Sequence, residues 1–372
     1  MIGNIPIWAT ISLVVAAVAP CNSPAPLRSS LTSEGPPQLL YNWVPDGTQM
    51  SELRALRAQR YDIVYQNIFV EGGVTGIIDP EVVITYLRKI LPNNFGGWGV
   101  LDFESPFFKH LNKGPGHPDH AKTISSFVQT IRKVKREWPN SKWAFWGLPD
   151  VNYWLHGPGE KPTNWSSSSD EVKNQEFKKR AAIFQGLLEE VDWVTPWIYD
   201  LYPVDAIKDP AQRKKSAASQ AAWVRAKIAL AKQVVATRKK GPIPVIPMCS
   251  TAYARNEKTA LIAFVPIQEF IEETLHPALN EGVDGLSIWN GIGFRIKTAF
   301  QVAKNQHQVE LREAARKWLK ALLFPTEPFN WNDTAARAWI NDQIRAALMD
   351  QLRTIRTAMT SYSAQNKVDS LK

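Results

Sequence analysis

Residues 98–106 read Trp98-Gly99-Val100-Leu101-Asp102-Phe103-Glu104-Ser105-Pro106. An apolar run that ends in two carboxylates and then meets a proline reads as a buried strand whose C-terminal end leaves the sheet. Strand side chains repeat with period two, so Asp102 and Glu104 project to the same side, about 6–7 Å apart at Cβ. Charged residues are rarely buried unpaired, and two like charges this close push one pKa upward. A carboxylic acid still protonated near neutral pH is the proton donor that glycosidic bond cleavage requires. The competing reading is structural: Asp-x-Glu at a strand end can cap the next helix or pair with a Lys or Arg, and so short a motif does not decide between them.

Outward from this strand the chain alternates. β-branched and aromatic runs occupy 38–44, 61–68, 97–103, 142–148, 192–199, 243–249 and 283–289, and stretches with helical spacing fill 80–90, 120–138, 171–190, 211–238 and 266–280. Alternating strand and helix over this length predicts a parallel sheet closed into a distorted TIM-like (β/α) barrel of seven strands, where the usual number is eight. In such barrels the active site lies at the C-terminal strand ends, where Asp102 and Glu104 fall. A doubly wound sheet is the alternative, but no Gly-rich phosphate loop follows the first strand. Three divisions follow: a signal peptide or anchor with its linker at 1–30, a barrel at 31–305, and a polar helical extension at 306–372 whose last helix spans about 334–361.

Other predicted strand ends carry aromatic and polar residues: Tyr65-Gln66-Asn67, Trp146 before Gly147, Pro196-Trp197-Ile198-Tyr199-Asp200-Leu201-Tyr202, and Trp289-Asn290. Taken singly each is a rim packing residue. Together Tyr65, Trp146, Tyr199, Tyr202, Trp289 and Asn290 would ring one pocket around the acid pair, and aromatic walls with a few polar groups suit a carbohydrate groove.

The stretch from Phe95 to Glu104 resembles the Gly-hydrophobic-Asp-aromatic-Glu signature of the animal and venom-type hyaluronidases. The Trp-x-x-x-Gly-x-Pro block at 143–149, Pro196-x-x-Tyr199 and Gly282-Val-Asp-Gly-Leu-Ser-Ile-Trp289 resemble that family's blocks in the same order, across residues 38–295. The resemblance implies a seven-stranded barrel and substrate-assisted retaining hydrolysis of N-acetylhexosaminidic bonds, an exception to the two-carboxylate nucleophile scheme. It implies that Glu104 is general acid and base, and that Asp102 orients the substrate's own N-acetyl group. Tyr199 would hydrogen-bond near that group, Trp289 would wall the pocket and Tyr65 would line the cleft. The chain departs from the family in reading Ser105-Pro106-Phe107-Phe108 after the acid, in lacking a cysteine after Pro149, and in having no barrel disulfides. Hyaluronan is the leading substrate, with chondroitin or another N-acetylhexosamine polymer beside it. Two alternatives stand: a chitinase-like glycosidase, whose longer signature would place acids where Val100 and Gly97 stand, and a non-catalytic carbohydrate-binding barrel, which would be expected to lose Glu104.

Composition bounds the remaining classes. The 372 residues are 44% hydrophobic and 21% charged, as in globular proteins. Fifteen tryptophans are many, though most must be packing residues. The formal charge of +9 favours an anionic partner, an acidic polysaccharide included. Its clusters, such as Lys178-Lys179-Arg180 and Arg213-Lys214-Lys215, read as solvated helix faces, and no nucleic-acid motif accompanies them. The apolar run from Ile5 to Ala19, ending Ala17-Val18-Ala19, suits a signal-peptide core and predicts secretion, with an uncleaved anchor as the alternative. The chain holds only Cys21, two residues past that run, and Cys249, so the fold has no disulfide framework. His110, His117 and His120 lack metal-ligand spacing and no nucleophile elbow is present. Neither metal nor cofactor is expected, and the chain reads as a monomer without a stable protein partner.

Overall fold

The computed structural model describes residues 37–43, 47–66, 78–149, 169–199, 210–251, 265–289 and 334–369. Its elements run β1 (Gln38–Tyr41), α1 (Gly47–Ala55), β2 (Ala58–Tyr65), α2 (Pro80–Ile90), β3 (Trp98–Asp102), α3 (Phe107–Asn112), α4 (Pro118–Glu137), β4 (Lys142–Phe145), α5 (Asp170–Leu188), α6 (Pro210–Val235) and β5 (Met248–Cys249). There follow α7 (Ile267–Phe270), a π-helical turn (Ile271–Leu275), α8 (His276–Asn280), β6 (Gly285–Ile288) and α9 (Thr334–Asp369). Local chemistry sets the helix starts. Asp79 caps α2 by accepting from the Glu81 amide at 2.8 Å, with Pro80 behind it, and the His117 ring does the same for α4 from Asp119 at 3.1 Å.

Six strands form one curled parallel sheet in the order β4-β3-β2-β1-β6-β5, with helices in the crossovers, a TIM-like (β/α) arrangement. Neighbours in space are neighbours in sequence except at β1, which pairs with both β2 and β6. A doubly wound sheet would instead reverse its order at a switch point. Register is continuous across the middle: Tyr65 lies beside Asp102, and Val100 beside Ile63 and Ala144.

The segment expected as the fifth strand, 192–199, joins by isolated bridges. Thr195 bridges Trp146 just beyond β4, while Val194 and Trp197 bridge Val245 and Met248 on the β5 side. Gly147 N–H donates to the Thr195 carbonyl at 3.2 Å, and Ile198 N–H to that of Met248 at 2.8 Å. The segment thus touches both edges of the six-stranded order. Pro196, Pro244 and Pro247 explain the broken ladder, because each removes an amide donor. The same prolines shorten the expected 243–249 strand to Met248–Cys249.

Both faces of β3 are buried along its whole length. One face carries Phe103, which meets Phe107 of α3, Phe127 of α4 and Phe145 of β4 at ring-centroid distances of 6.1, 5.3 and 5.5 Å. These rings are almost wholly buried, each worth about 1.5–3 kcal/mol of transfer energy, and they anchor α3 immediately after the acid pair. Gly99 on that face lies under the Trp143 indole so closely that a β-carbon would stand 2.3 Å from the ring.

α9 lays a stripe of Leu348, Leu352, Ile355 and Met359 into the core at helical spacing. Arg356 donates to the carbonyls of Pro37 and Arg57 at 3.0 and 3.2 Å, Arg353 pairs with Glu52, and Tyr362 donates to Asn280. The helix runs past the expected end at 361. No described helix is long and apolar enough to cross a membrane. The segment expected as signal or anchor lies outside the described residues.

Candidate active site

The acid pair stands where β3 leaves the sheet. Asp102 is the last residue of the strand and only 7% exposed; Glu104, two residues on, is partly buried. A hydrogen bond joins the two carboxyl groups. Burial, then the charge of Glu104 and that hydrogen bond, hold Asp102 well above the ordinary carboxylate range. Burial also raises Glu104, while the hydrogen bond from Asp102 draws it partly back. Both carboxyls are thus raised, and like charges this close favour a pair that keeps one proton between them. A pair that retains one proton can deliver it to a bond held above it.

A glutamine holds this turn in place. Gln66, just past the end of β2, accepts from the Glu104 amide at 2.8 Å and donates to the Ser105 carbonyl at 2.6 Å. The chain then enters α3 with the Phe108 amide bonded to the Glu104 carbonyl at 2.8 Å. Glu104 is therefore tied through both its backbone amide and its carbonyl.

The aromatic candidates gather as two hydrogen-bonded couples. Trp289 Nε1 donates to the Tyr65 hydroxyl at 3.0 Å, and Trp146 Nε1 to the Tyr199 hydroxyl at 3.1 Å. The Tyr199 and Trp289 rings lie 5.5 Å apart and link the couples into one wall. Tyr65, in register with Asp102, is 37% exposed and presents a face to solvent. Its hydroxyl is pushed up to about 12 by burial, against the Trp289 hydrogen bond, with the nearby Asp102 and Glu104 charges adding to the rise. Tyr199 and Trp146 are each 3% exposed, and Trp146 is stacked on Phe108 at 5.7 Å, so it supports Tyr199 from behind. Tyr202 and Asn290 lie outside the described residues. Sequence reading thus brought Asp102, Glu104, Tyr65, Tyr199, Trp146 and Trp289 to one strand-end cluster but passed over Gln66 and Phe108. Gln66 was adjacent to a chosen residue; its role shows only once β2 lies beside β3.

The three histidines of the α3–α4 region have separate structural partners: His120 meets the Ile183 carbonyl at 3.0 Å, His110 the Thr123 hydroxyl at 3.5 Å, and His117 caps α4. Among the described residues no group of three or more His, Cys, Asp or Glu could hold a metal ion. An open groove of about 730 Å³ lies elsewhere, at the outer faces of α2 and α4. Its Arg132 and Lys133 are paired with Glu190 and Glu81, and none of the strand-end acids or aromatics lines it.

No protein-family model matches the chain, and no curated protein matches it. Among solved structures, bee venom hyaluronidase aligns with 82% of this chain and 99% of its own at 16% identity and a TM-score of 0.47. The same enzyme in complex with a hyaluronic acid tetramer aligns over 77% and 96% at 15% identity and 0.48. An endo-1,4-β-D-mannanase from Thermotoga petrophila aligns over 66% and 71% at 13% identity and 0.36. Likenesses this distant assign no activity, so the functional reading rests on the acid pair and its surroundings.

Proposed function

We propose that this chain is an endo-acting glycoside hydrolase that cleaves N-acetylhexosaminidic bonds in a glycosaminoglycan, hyaluronan first, by substrate-assisted retaining hydrolysis. The observation that carries the reading is the buried, hydrogen-bonded Asp102–Glu104 pair, raised in pKa and flanked by the Tyr65–Trp289–Tyr199 wall.

In this mechanism Glu104 carries the pair's shared proton once substrate binds. Glu104 gives it to the glycosidic oxygen as the C–O bond breaks. Asp102, now anionic, accepts a hydrogen bond from the acetamido N–H, so that the acetamido oxygen attacks the anomeric carbon and closes an oxazolinium ring. Glu104 then takes a proton from water, whose oxygen opens that ring at the anomeric carbon, and the pair regains its proton. Tyr199 steadies the acetamido group and the indole of Trp289 packs against the sugar. The same reading counts 192–199 as a seventh strand of the barrel, takes 306–372 as an extension on its exterior, and treats residues 1–30 as a leader directing a monomeric protein to the extracellular space.

The test is reducing-end release from hyaluronan, chondroitin and chitin oligomers by the wild-type protein and by Glu104→Gln. The amide preserves shape but cannot donate the proton, so turnover is expected to fall by roughly 10²–10⁴-fold with polymer binding retained. Mutant activity within about tenfold of wild type would remove Glu104 from the mechanism. Binding without release from any polymer would leave a carbohydrate-binding barrel.

A further inference from the structure

Tyr199 ends a segment that the sheet holds weakly. Residues 192–199 meet their neighbours through isolated bridges, and the Ile198 amide donates to the Met248 carbonyl at 2.8 Å. One residue on, the Tyr199 carbonyl has a side chain for a partner: Gln220 Nε2, on α6, donates to it at 3.3 Å. A carbonyl can only accept, so this partner fixes which end of the amide faces Tyr199. The packing explains how a helix reaches this carbonyl. Gln220, Trp223, Val224 and Lys227 form one buried stripe of α6 at helical spacing. Trp223 meets Trp197 at a ring-centroid distance of 5.0 Å, and the Lys227 ammonium stands 4.2 Å from the centre of the same Trp197 ring. These contacts set α6 against the 192–199 segment and bring Gln220 to its end. Gln220 is only 1% exposed, and its Oε1 is buried with no hydrogen-bond partner among the described residues. A leucine or methionine would fill this place without stranding an acceptor. The bond to Tyr199 is what the amide supplies there and an apolar side chain does not.

We propose that Gln220 is a positioning residue for Tyr199, tying its backbone so that the phenol keeps one place in the Tyr65–Trp289–Tyr199 wall. Tyr199 is then fixed at both ends, its carbonyl by Gln220 and its hydroxyl oxygen by Trp146 Nε1 at 3.1 Å. A side chain pivots about its backbone, so a small rotation at the carbonyl grows towards the hydroxyl. A displacement of about 1 Å in a group that meets the reacting atoms can cost roughly 10²-fold in rate. The consequence for turnover rests on the glycosidase reading, in which Tyr199 steadies the acetamido group. The tie from α6 to the Tyr199 backbone does not.

The experiment compares the full-length wild type with Gln220→Met, which keeps length and volume, and Gln220→Asn, which keeps the amide but is too short to reach. Without substrate, the ¹⁵N-labelled indole of Trp146, assigned by its loss in Trp146→Phe, reports on the hydroxyl to which it donates. That resonance is expected to move in both variants. The Trp138 indole, bonded to the Pro92 carbonyl at 3.0 Å, should stay in place, which a general loosening of the fold would not allow. On the polymer that wild type cleaves, kcat should fall about 5–50-fold with KM within about twofold. In a Tyr199→Phe background, Gln220→Met should cost no more than about a further twofold, because the hydroxyl it positions is already gone. Losses that multiply across the two substitutions would overturn the proposal, as would a Trp146 resonance that stays put. A fall in Tm of more than about 5 °C in both variants would show that Gln220 serves the fold, and would overturn it as well. Absence of turnover by wild type, with the Trp146 resonance moved as expected, would sink the glycosidase reading and leave the Gln220–Tyr199 tie standing.

Discussion

Replacing Gln66 with leucine removes the only side chain that holds the Glu104–Ser105 backbone from the neighbouring strand among the described residues. The change keeps the volume approximately and deletes two hydrogen bonds, from the Glu104 amide at 2.8 Å and to the Ser105 carbonyl at 2.6 Å. Each is worth about 1 kcal/mol net, and an unsatisfied donor in a half-buried turn costs about 1–3 kcal/mol, so stability should fall by about 2–4 kcal/mol. Catalysis should suffer separately. The Glu104 backbone would keep only its tie to Phe108, and a displacement of about 1 Å at an acid can cost roughly 10²-fold, so kcat should drop about 10–100-fold. Urea unfolding measures the first effect, and reducing-end release at saturating polymer measures the second. Stability within about 0.5 kcal/mol of wild type, with kcat within twofold, would refute the clamp. Loss of stability alone would show that the turn is held for the fold and that Glu104 finds its position by other means.

Two further outcomes test the frame around the site. Glu273, buried in the π-helical turn with Oε2 unpartnered among the described residues, is pushed up to about 7 by burial and by Glu269 and Glu272. A carboxyl with a raised folded pKa releases its proton more readily when unfolded, so its contribution falls as pH rises from its ordinary value of 4.5 to about 7. Glu273→Gln should therefore stabilise the protein at pH 7.5 by at most about 3 kcal/mol and change little at pH 4, as read by denaturant midpoints; equal effects at both pH values would refute the titration. Gly99→Ala should destabilise by about 2–3 kcal/mol, because the Trp143 ring that a β-carbon would strike is itself buried and bonded through Nε1 to Ser141. A Tm change of less than about 2 °C would mean that the indole moves aside freely.

What was legible in the sequence was whatever repeats with a fixed period. The 98–102 run, the Asp102–Glu104 spacing and the amphipathic faces of α2 and α4 all follow from side-chain geometry within one element. Contacts across elements were not legible. Gln66 acts on residues 38 and 39 positions away, and Phe108 supports Trp146 only because α3 folds back over β4. α1 escaped because its sequence, GTQMSELRA, has a weak apolar face with Leu53 its buried member. α3 is a short helix hidden behind Pro106. The interrupted strand at 192–199 was legible in principle, since Pro196, Pro244 and Pro247 each announce a missing ladder bond. The π-helical turn was not, because one extra residue per turn leaves no mark in a helical pattern.

The place of β1 between β2 and β6 has a consequence for how the chain is made. The ladder from β2 through β3 to β4 joins strands close in sequence and can form while synthesis continues. β1 is translated before them, yet its second edge stays open until β6 exists, and the carbonyl of Pro37 waits for Arg356, 319 residues downstream. Among the described strands, the one that emerges first is thus the last to be enclosed. During that interval an exposed parallel edge invites pairing with the wrong chain, and such late seams make folding slow and sensitive to crowding on the ribosome. The acid pair, two strands away, would be assembled early and wait for its surroundings to close.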